Sequence, residues 1–430
     1  MPRTVGALAL LLSVLPLNLA WTALALMRSL VVRSPRETHP LPRTIMISGG
    51  KMTKALQLAR SFHQAGHRVI LIESAKYRFT GHRFSRAVDR FHVVPEPQAD
   101  GYAAALLEIV LKEGVDVYVP VCSPVASYYD ALAKAELSPY CEVVHADPDV
   151  VAQLDDKFAF TAMATSLGLP VPDAHRITQP HQVADFDFAR RSETYVLKSI
   201  PYDPVNRLDL TRLPRDTPAQ TVGFAATKPM SDDVPWIMQA FVPGQEYCTH
   251  STVRDGELQL HCCCPSSAFQ INYESVDKPE IEAWVRRFVG AHKITGQVSF
   301  DFIQAADGQV HAIECNPRTH SAITMFYDHP DVARSYLEKG TEVVRPSASS
   351  RPTYWIYHEI WRLLTQPARL DRIKVILRGK DAIFDASDPL PFLMVHHLQI
   401  PWLLLQNLRH RKGWVRIDFN IGKLVEPAGD

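Results

Sequence analysis

The chain has 430 residues, 46% of them hydrophobic, with 46 basic and 46 acidic side chains and no formal net charge. That length accommodates two or three domains with sizeable cores, and the zero balance gives no electrostatic footprint for nucleic acid. Seven scattered cysteines form no disulfide framework and suit a reducing compartment, and Cys262-Cys-Cys264 lacks the spacing of zinc ligands.

Residues 1–40 read as a hydrophobic segment and linker. Val5 to Met27 carries no charge and is long enough to cross a bilayer as a helix. Arg28, Arg33, Arg36 and Arg43 crowd its far end, which places the body of the protein on the cytoplasmic face of a membrane. A single anchor is the favoured reading, ahead of an interfacial segment and of a cleavable signal peptide, which would need a more basic start.

Residues 41–150 read as a Rossmann-like domain. Thr44 to Ser48 is a strand, a helical pattern runs through Leu56, Ala59 and Phe62 to Gly66, and Val69 to Ile72 is a second strand. The intervening Gly49-Gly-Lys51 matches no dinucleotide or phosphate-loop pattern and reads as a tight turn. A later junction, Val115 to Val121 followed by Cys122-Ser-Pro124, offers Ser123 as N-cap and exposed amides at a strand's carboxyl end.

Residues 151–345 change pattern. A helix is expected from Lys157 to Leu167, a strand carries Lys198, and hairpins centre on Asp255-Gly256 and Asp307-Gly308. If Asp307 and Gly308 alone form the second loop, Asp301 faces Glu314 and Ser299 faces Asn316, while Phe300, Phe302, Ile313 and Cys315 form the core face. Two carboxylates opposed across a ladder repel, and a hard divalent ion between them removes that penalty. Residues 346–430 are a C-terminal extension in which "HEIWR" lacks the second histidine of a zinc-protease helix and "WLLLQNL" is expected to be buried.

Taken together, Lys157, Lys198, Gln239, Glu246, Asp301, Glu314, Asn316 and Arg318 resemble the functional set of the ATP-grasp superfamily. The resemblance implies an α/β fold: an ATP-grasp domain with an N-terminal Rossmann-like domain, preceded here by one hydrophobic helix. It implies that Lys157 and Lys198 hold ATP phosphates, that Gln239, Ala240, Phe241 and Val242 receive adenine, and that Glu246 binds ribose. Asp301, Glu314 and Asn316 would hold Mg²⁺, and Arg318 would face the transferring phosphoryl group. The usual glycine-rich covering loop is missing from "KSIPYDPVNRLDLTRL", where Arg207 or Arg212 would take over its charge.

The segments "SGGKMTKALQLARSFHQAGHRVILIE", "LDDKFAFT", "CTHSTVRDGEL", "IECNPRTHSAITMFY", "PTYWIYHEIWRL" and "GWVRIDFNIGKLVE" further resemble the ATP-grasp ligases of mycosporine biosynthesis, which join glycine to 4-deoxygadusol. This implies an ADP-forming C–N ligase with ATP and Mg²⁺, small-molecule substrates, and Thr319, His320 and Ser321 beside them by position. Homo-oligomerisation is left open. Two alternatives stand beside it: an amino-acid or dipeptide ligase acting through an acyl phosphate, and a membrane-tethered nucleotide-binding module.

Overall fold

Between residues 44 and 143, short β-branched runs alternate with longer helical patterns, and parallel strands need such crossover helices to return the chain. The computed structural model of the protein describes residues 2–31, 36–121, 125–201, 203, 205, 206, 209–266, 272–340, 342–366 and 371–426. After a long helix α1 (Pro2–Val31) come β1 (Thr44–Ile47), α2 (Thr53–Gln64), β2 (Arg68–Ser74), β3 (Arg90–Val94), α3 (Tyr102–Glu113), β4 (Val117–Val119), α4 (Ala126–Leu137) and β5 (Glu142–Val143). The five strands form one parallel sheet in the order β3-β2-β1-β4-β5. Both faces are covered: Ile45, Ile47 and Leu71 pack with Leu56 and Phe62, and Met46, Ile70 and Tyr118 pack with Leu106 and Val110.

Two helices, α5 (Pro148–Asp155) and α6 (Lys157–Ser166), lead out of this sheet. Asp156 ends the first and caps the second, accepting from the amides of Phe158 and Ala159 at 2.8 and 2.9 Å. Next come β6 (Ala174–Ile177), α7 (Pro180–Ala184), β7 (Tyr195–Ser199), β8 (Arg212–Leu213), α8 (Pro218–Ala226) and β9 (Trp236–Ala240), whose strands pair antiparallel in the order β6-β9-β7-β8. A second antiparallel sheet follows. It comprises β10 (Gly244–Arg254), β11 (Glu257–Pro265), β13 (Gly296–Ala305) and β14 (Val310–Asn316), in the order β11-β10-β13-β14. Between its strands the chain forms β12 (Asn272–Tyr273) and α9 (Pro279–Ala291), whose Trp284 and Phe288 pack on Phe300 and Phe302. Asp255 and Gly256, both at positive φ, make the two-residue turn expected between β10 and β11.

The last elements are α10 (Val332–Leu337), β15 (Thr353–Tyr354), α11 (Ile356–Thr365), α12 (Asp371–Arg378), β16 (Lys380–Asp381), α13 (Leu390–Met394), α14 (Ile400–Arg409), β17 (Arg416–Asp418) and β18 (Lys423–Val425). They do not stand apart. Trp355, Phe392, Val395, Leu404 and Phe419 share one core with Leu56 and Phe62 of α2. The buried Arg60–Asp388 ion pair (2.9 Å) ties the extension to the first sheet, and Asp388 also accepts from Ser85 Oγ and the amide of Arg86. Leu403 and Leu404 of the "WLLLQNL" run are buried, as their periodicity indicates.

Candidate active site

The β13–β14 hairpin pairs Asp301 with Glu314, Phe300 with Cys315 and Ser299 with Asn316, as the alternation indicates. It reaches that register by a different route. The loop has three residues, Ala306-Asp307-Gly308, with Gly308 at φ +87° and its amide donating to Ala305 O. One residue is thereby added to the loop, and a β-bulge takes it back: Phe302 faces Ala312, which leaves Ile313 as the extra residue before the Asp301–Glu314 pair. The expected core position of Ile313 is therefore corrected. Ala312 is fully buried in its place, and Ile313 lines the cleft.

That cleft, about 1310 Å³, lies between the two antiparallel sheets and the carboxyl ends of β1 and β2. Around the carboxylate pair stand three cations. Lys157, the first residue of α6, is 3.6 Å from Glu314; Lys198 of β7 reaches Gln239 Oε1 at 3.3 Å; Arg318 donates to Asn316 Oδ1 at 2.5 Å and pairs with Asp155 at 3.8 Å. Burial, and then the neighbouring Glu314, push the Asp301 carboxyl well above its ordinary range. Burial also acts upward on Glu314, but Lys157, a hydrogen bond to Asp301, Lys198 and Arg318 outweigh it and bring this carboxyl down to about 2. The pair thus behaves as one proton shared between opposed carboxylates, an arrangement that a divalent cation relieves. Asn316 turns its amide NH₂ toward both carboxylates at 3.4 Å, so adding its oxygen to an all-oxygen donor set requires a half-turn of the amide. With that turn, the residues fit Mg²⁺.

Gln239 is buried and joins the two sheets, because its Nε2 donates to the carbonyl of the bulged Ile313 at 3.2 Å. The amides of Ala240 and Phe241 donate to Asp173 O and Thr194 O, both at 2.7 Å, so neither is available to a ligand. Ala240, Phe241, Val242 and Glu246 all line the cleft, and Glu246 Oε1 accepts from Ser266 Oγ at 3.2 Å. Arg212 stacks on the Phe241 ring at 4.0 Å, and Arg207 lies outside the described residues. Burial holds the Lys198 ammonium below its ordinary value against the pull of Glu314, and Lys157 adds to the lowering.

The opposite wall comes from the first sheet and the C-terminal hairpin. Lys54 donates to Thr319 O at 2.5 Å, the Tyr273 and His320 rings lie 5.4 Å apart, and Ser321 lines the same space. Ser127 of α4 fixes the Pro317 carbonyl at 2.7 Å and so positions the end of β14; the neighbouring residues 122–124, and with them the Ser123 cap, lie outside the described residues. Gly49 is a turn residue at φ +68°, where a Cβ would lie 2.1 Å from Val121 O. Asn420 O occupies the amide of Thr53 at the start of α2, and Glu73 accepts from Lys51 N, so protein groups already fill this βα turn. Asp155, Lys54, Tyr273 and the Asp418–Lys423 hairpin escaped the sequence reading; only the acidic "LDDK" run before Lys157 carried a signal for one of them.

Neither a protein-family description nor a curated protein sequence matches the chain. Solved structures do. An N5-carboxyaminoimidazole ribonucleotide synthetase, purK, in its ADP complex matches with a TM-score of 0.57 at 16% identity, over 77% of this chain and 86% of that one. The N5-carboxyaminoimidazole synthetase from Staphylococcus aureus complexed with ADP matches at 0.53 and 14% identity, over 73% and 82%. The biotin carboxylase domain of the Hydrogenobacter thermophilus 2-oxoglutarate carboxylase, in complex with MgADP and bicarbonate, matches at 0.51 and 12% identity, over 66% and 65%. The fold they share with this chain is the ATP-grasp fold, with an α/β domain before it.

Proposed function

We propose that the chain is an ADP-forming ligase that uses ATP and Mg²⁺ to join glycine to 4-deoxygadusol, giving mycosporine-glycine. One observation carries the reading: Asp301 and Glu314 are opposed across the ladder inside a cleft where Lys157, Lys198 and Arg318 stand around them. A non-catalytic binding module has no need of a repelling carboxylate pair. Asp301, Glu314 and Asn316 would hold Mg²⁺, which when bound neutralises phosphate oxygens. The solved neighbours carry ADP or MgADP in the same fold, which supports the nucleotide assignment.

In this reading Lys157 and Lys198 hold the phosphates, Glu246 binds ribose, and the Gln239–Val242 segment meets adenine. Arg318 faces the transferring γ-phosphoryl group, held by Asp155 once the Asn316 oxygen has turned from it toward the cation. The wall around Thr319, His320 and Ser321 receives the acceptor. The enolic hydroxyl of 4-deoxygadusol is a poor leaving group. Its oxygen takes the phosphoryl group and ADP departs; the glycine amine then adds to that ring carbon, the C–O bond breaks, and phosphate leaves as the amine loses a proton. The mycosporine assignment rests on the sequence segments around Lys157, Glu314 and Trp355, and the catalytic body is assigned to the cytoplasmic face of a membrane through α1.

The test is an ¹⁸O label in the substituted enolic oxygen of the ring. The label is expected in released phosphate. AMP formation, or label kept on the ring, removes this mechanism, whereas label moving from the glycine carboxylate to phosphate selects the acyl-phosphate ligase.

A further inference from the structure

Helix α1 turns an apolar face outward and a mixed one toward the body, where Ala7 and Leu8 also pack. Its buried side chains include Thr4, Leu11, Asn18, Thr22 and Ala25, a stripe with a repeat near seven in which three of the five are polar. Leu10, Leu12, Leu17, Trp21, Leu24 and Met27 are exposed. A helix packing against a protein core in water turns the opposite faces in and out.

The stripe is bonded to the C-terminal extension along its length. Trp414 Nε1 donates to Thr4 Oγ1 at 3.0 Å, and Arg3 binds the Val415 carbonyl and lies over the Trp414 ring. Asn18 meets Tyr357 Oη and His397 Nε2, both at 2.7 Å, and the Trp21 ring lies 5.8 Å from that of Phe384. At 1.5 Å per residue, Thr4 and Trp21 are about 25 Å apart, most of the hydrocarbon thickness of a bilayer. A helix pinned over that distance could stand across a bilayer only by drawing the extension in with it.

The exposed apolar surface continues beyond α1. On α11, Ile360, Trp361 and Leu364 share a helical face with Tyr357, the Asn18 partner, and Trp361 and Leu364 are 59% and 72% exposed. On α12, which packs against α11, Leu377 is 76% exposed. By sequence these three helices carry Arg3, Arg28, Arg362, Arg372, Lys374 and Arg378 against Glu359 and Asp371, and Glu359 is buried and paired with Arg372 at 3.5 Å.

We propose that α1, α11 and α12 form one monotopic lipid-binding face. The helix lies along the plane of a single leaflet, its outer leucines among the acyl chains and the basic side chains at anionic headgroups. The proposal rests on the membrane assignment of α1, replaces a spanning anchor with an in-plane one, and is independent of which reaction the cleft performs.

The test uses the full chain, carrying an N-terminal epitope tag, added to sealed preformed vesicles of phosphatidylcholine with and without phosphatidylserine. The protein is expected to float with the vesicles, more strongly with phosphatidylserine, and external protease should remove the tag. A Trp361→Ser/Leu364→Ser/Leu377→Ser variant should partition about tenfold more weakly, with unchanged ATP turnover in detergent as the check on its fold. A protected tag together with unweakened binding of the variant means a spanning anchor and overturns the proposal. So does absence of flotation, or a detergent-free dimer that the variant dissociates, which would make a second copy the occupant of this face.

Discussion

Lys198 Nζ lies 3.3 Å from Gln239 Oε1, and Gln239 in turn donates to the carbonyl of the bulged Ile313. One amide side chain thus aligns Lys198, proposed to hold a phosphate, with the strand that carries Glu314. Lys198→Ala should weaken ADP binding by ten- to a hundredfold, which corresponds to about 1.5–3 kcal/mol for a charge-assisted hydrogen bond. Calorimetry on the variant checks this, and unchanged nucleotide affinity would reduce Lys198 to a strand residue. Gln239→Met should give a smaller loss in the same direction.

Glu314→Gln is expected to abolish turnover and leave the protein folded. The substitution keeps the shape of the side chain and removes the single charge that the proton-sharing pair carries, so Asp301 keeps a polar partner while the Lys157 contact at 3.6 Å becomes weaker. Thermal unfolding should stay within a few degrees of the wild type. Near-normal turnover at limiting Mg²⁺ would contradict the cation role of the pair.

Asp388→Asn should destabilise the whole protein by about 3–5 kcal/mol, because it leaves the Arg60 guanidinium buried without its counter-charge. Both side chains are under 10% exposed. Urea unfolding measures the loss. The double variant Arg60→Met/Asp388→Leu should recover part of it, since an apolar pair leaves no charge stranded but takes the acceptor from Ser85 Oγ and the Arg86 amide.

Acid should loosen the contact between the C-terminal extension and the first sheet. Burial lowers the imidazoles of His82 and His396 to about 3 from an ordinary value of 6.5. Unfolding lets each of them take up a proton between those values. Their contribution is therefore complete above pH 6.5 and is lost as the pH falls toward about 3. The urea midpoint should drop between pH 7 and pH 5. A midpoint that stays level, or that rises with acid, would contradict neutral burial of these rings.

Gly49→Ala should be strongly destabilising. The turn after β1 needs φ +68°, and the added methyl would meet the Val121 carbonyl at 2.1 Å. Differential scanning calorimetry against wild type reads the shift, and an unchanged melting temperature would mean the turn can rearrange.

Local periodicity carried much of the site. Alternation alone placed Asp301 opposite Glu314, because side chains on a strand switch faces at every residue and Asp-Gly marks the reversal. The start of α6 at Lys157 was equally legible, since Asp156 is a strong N-cap. The added loop residue and the Ile313 bulge were not, because each shifts the register by one and they cancel at the carboxylates. Packing put Ala312 in the core and turned Ile313 into the cleft, where its carbonyl meets Gln239 from another sheet. The same division holds at the ends of the chain. The uncharged run from Val5 to Met27 identifies an apolar helix by composition, but which stripe faces the body depends on Tyr357, His397 and Trp414, hundreds of residues away. Composition and period are properties of neighbours along the chain, whereas the cleft's second wall and the outward apolar face of α1 arise from contacts between distant segments, which no local pattern encodes.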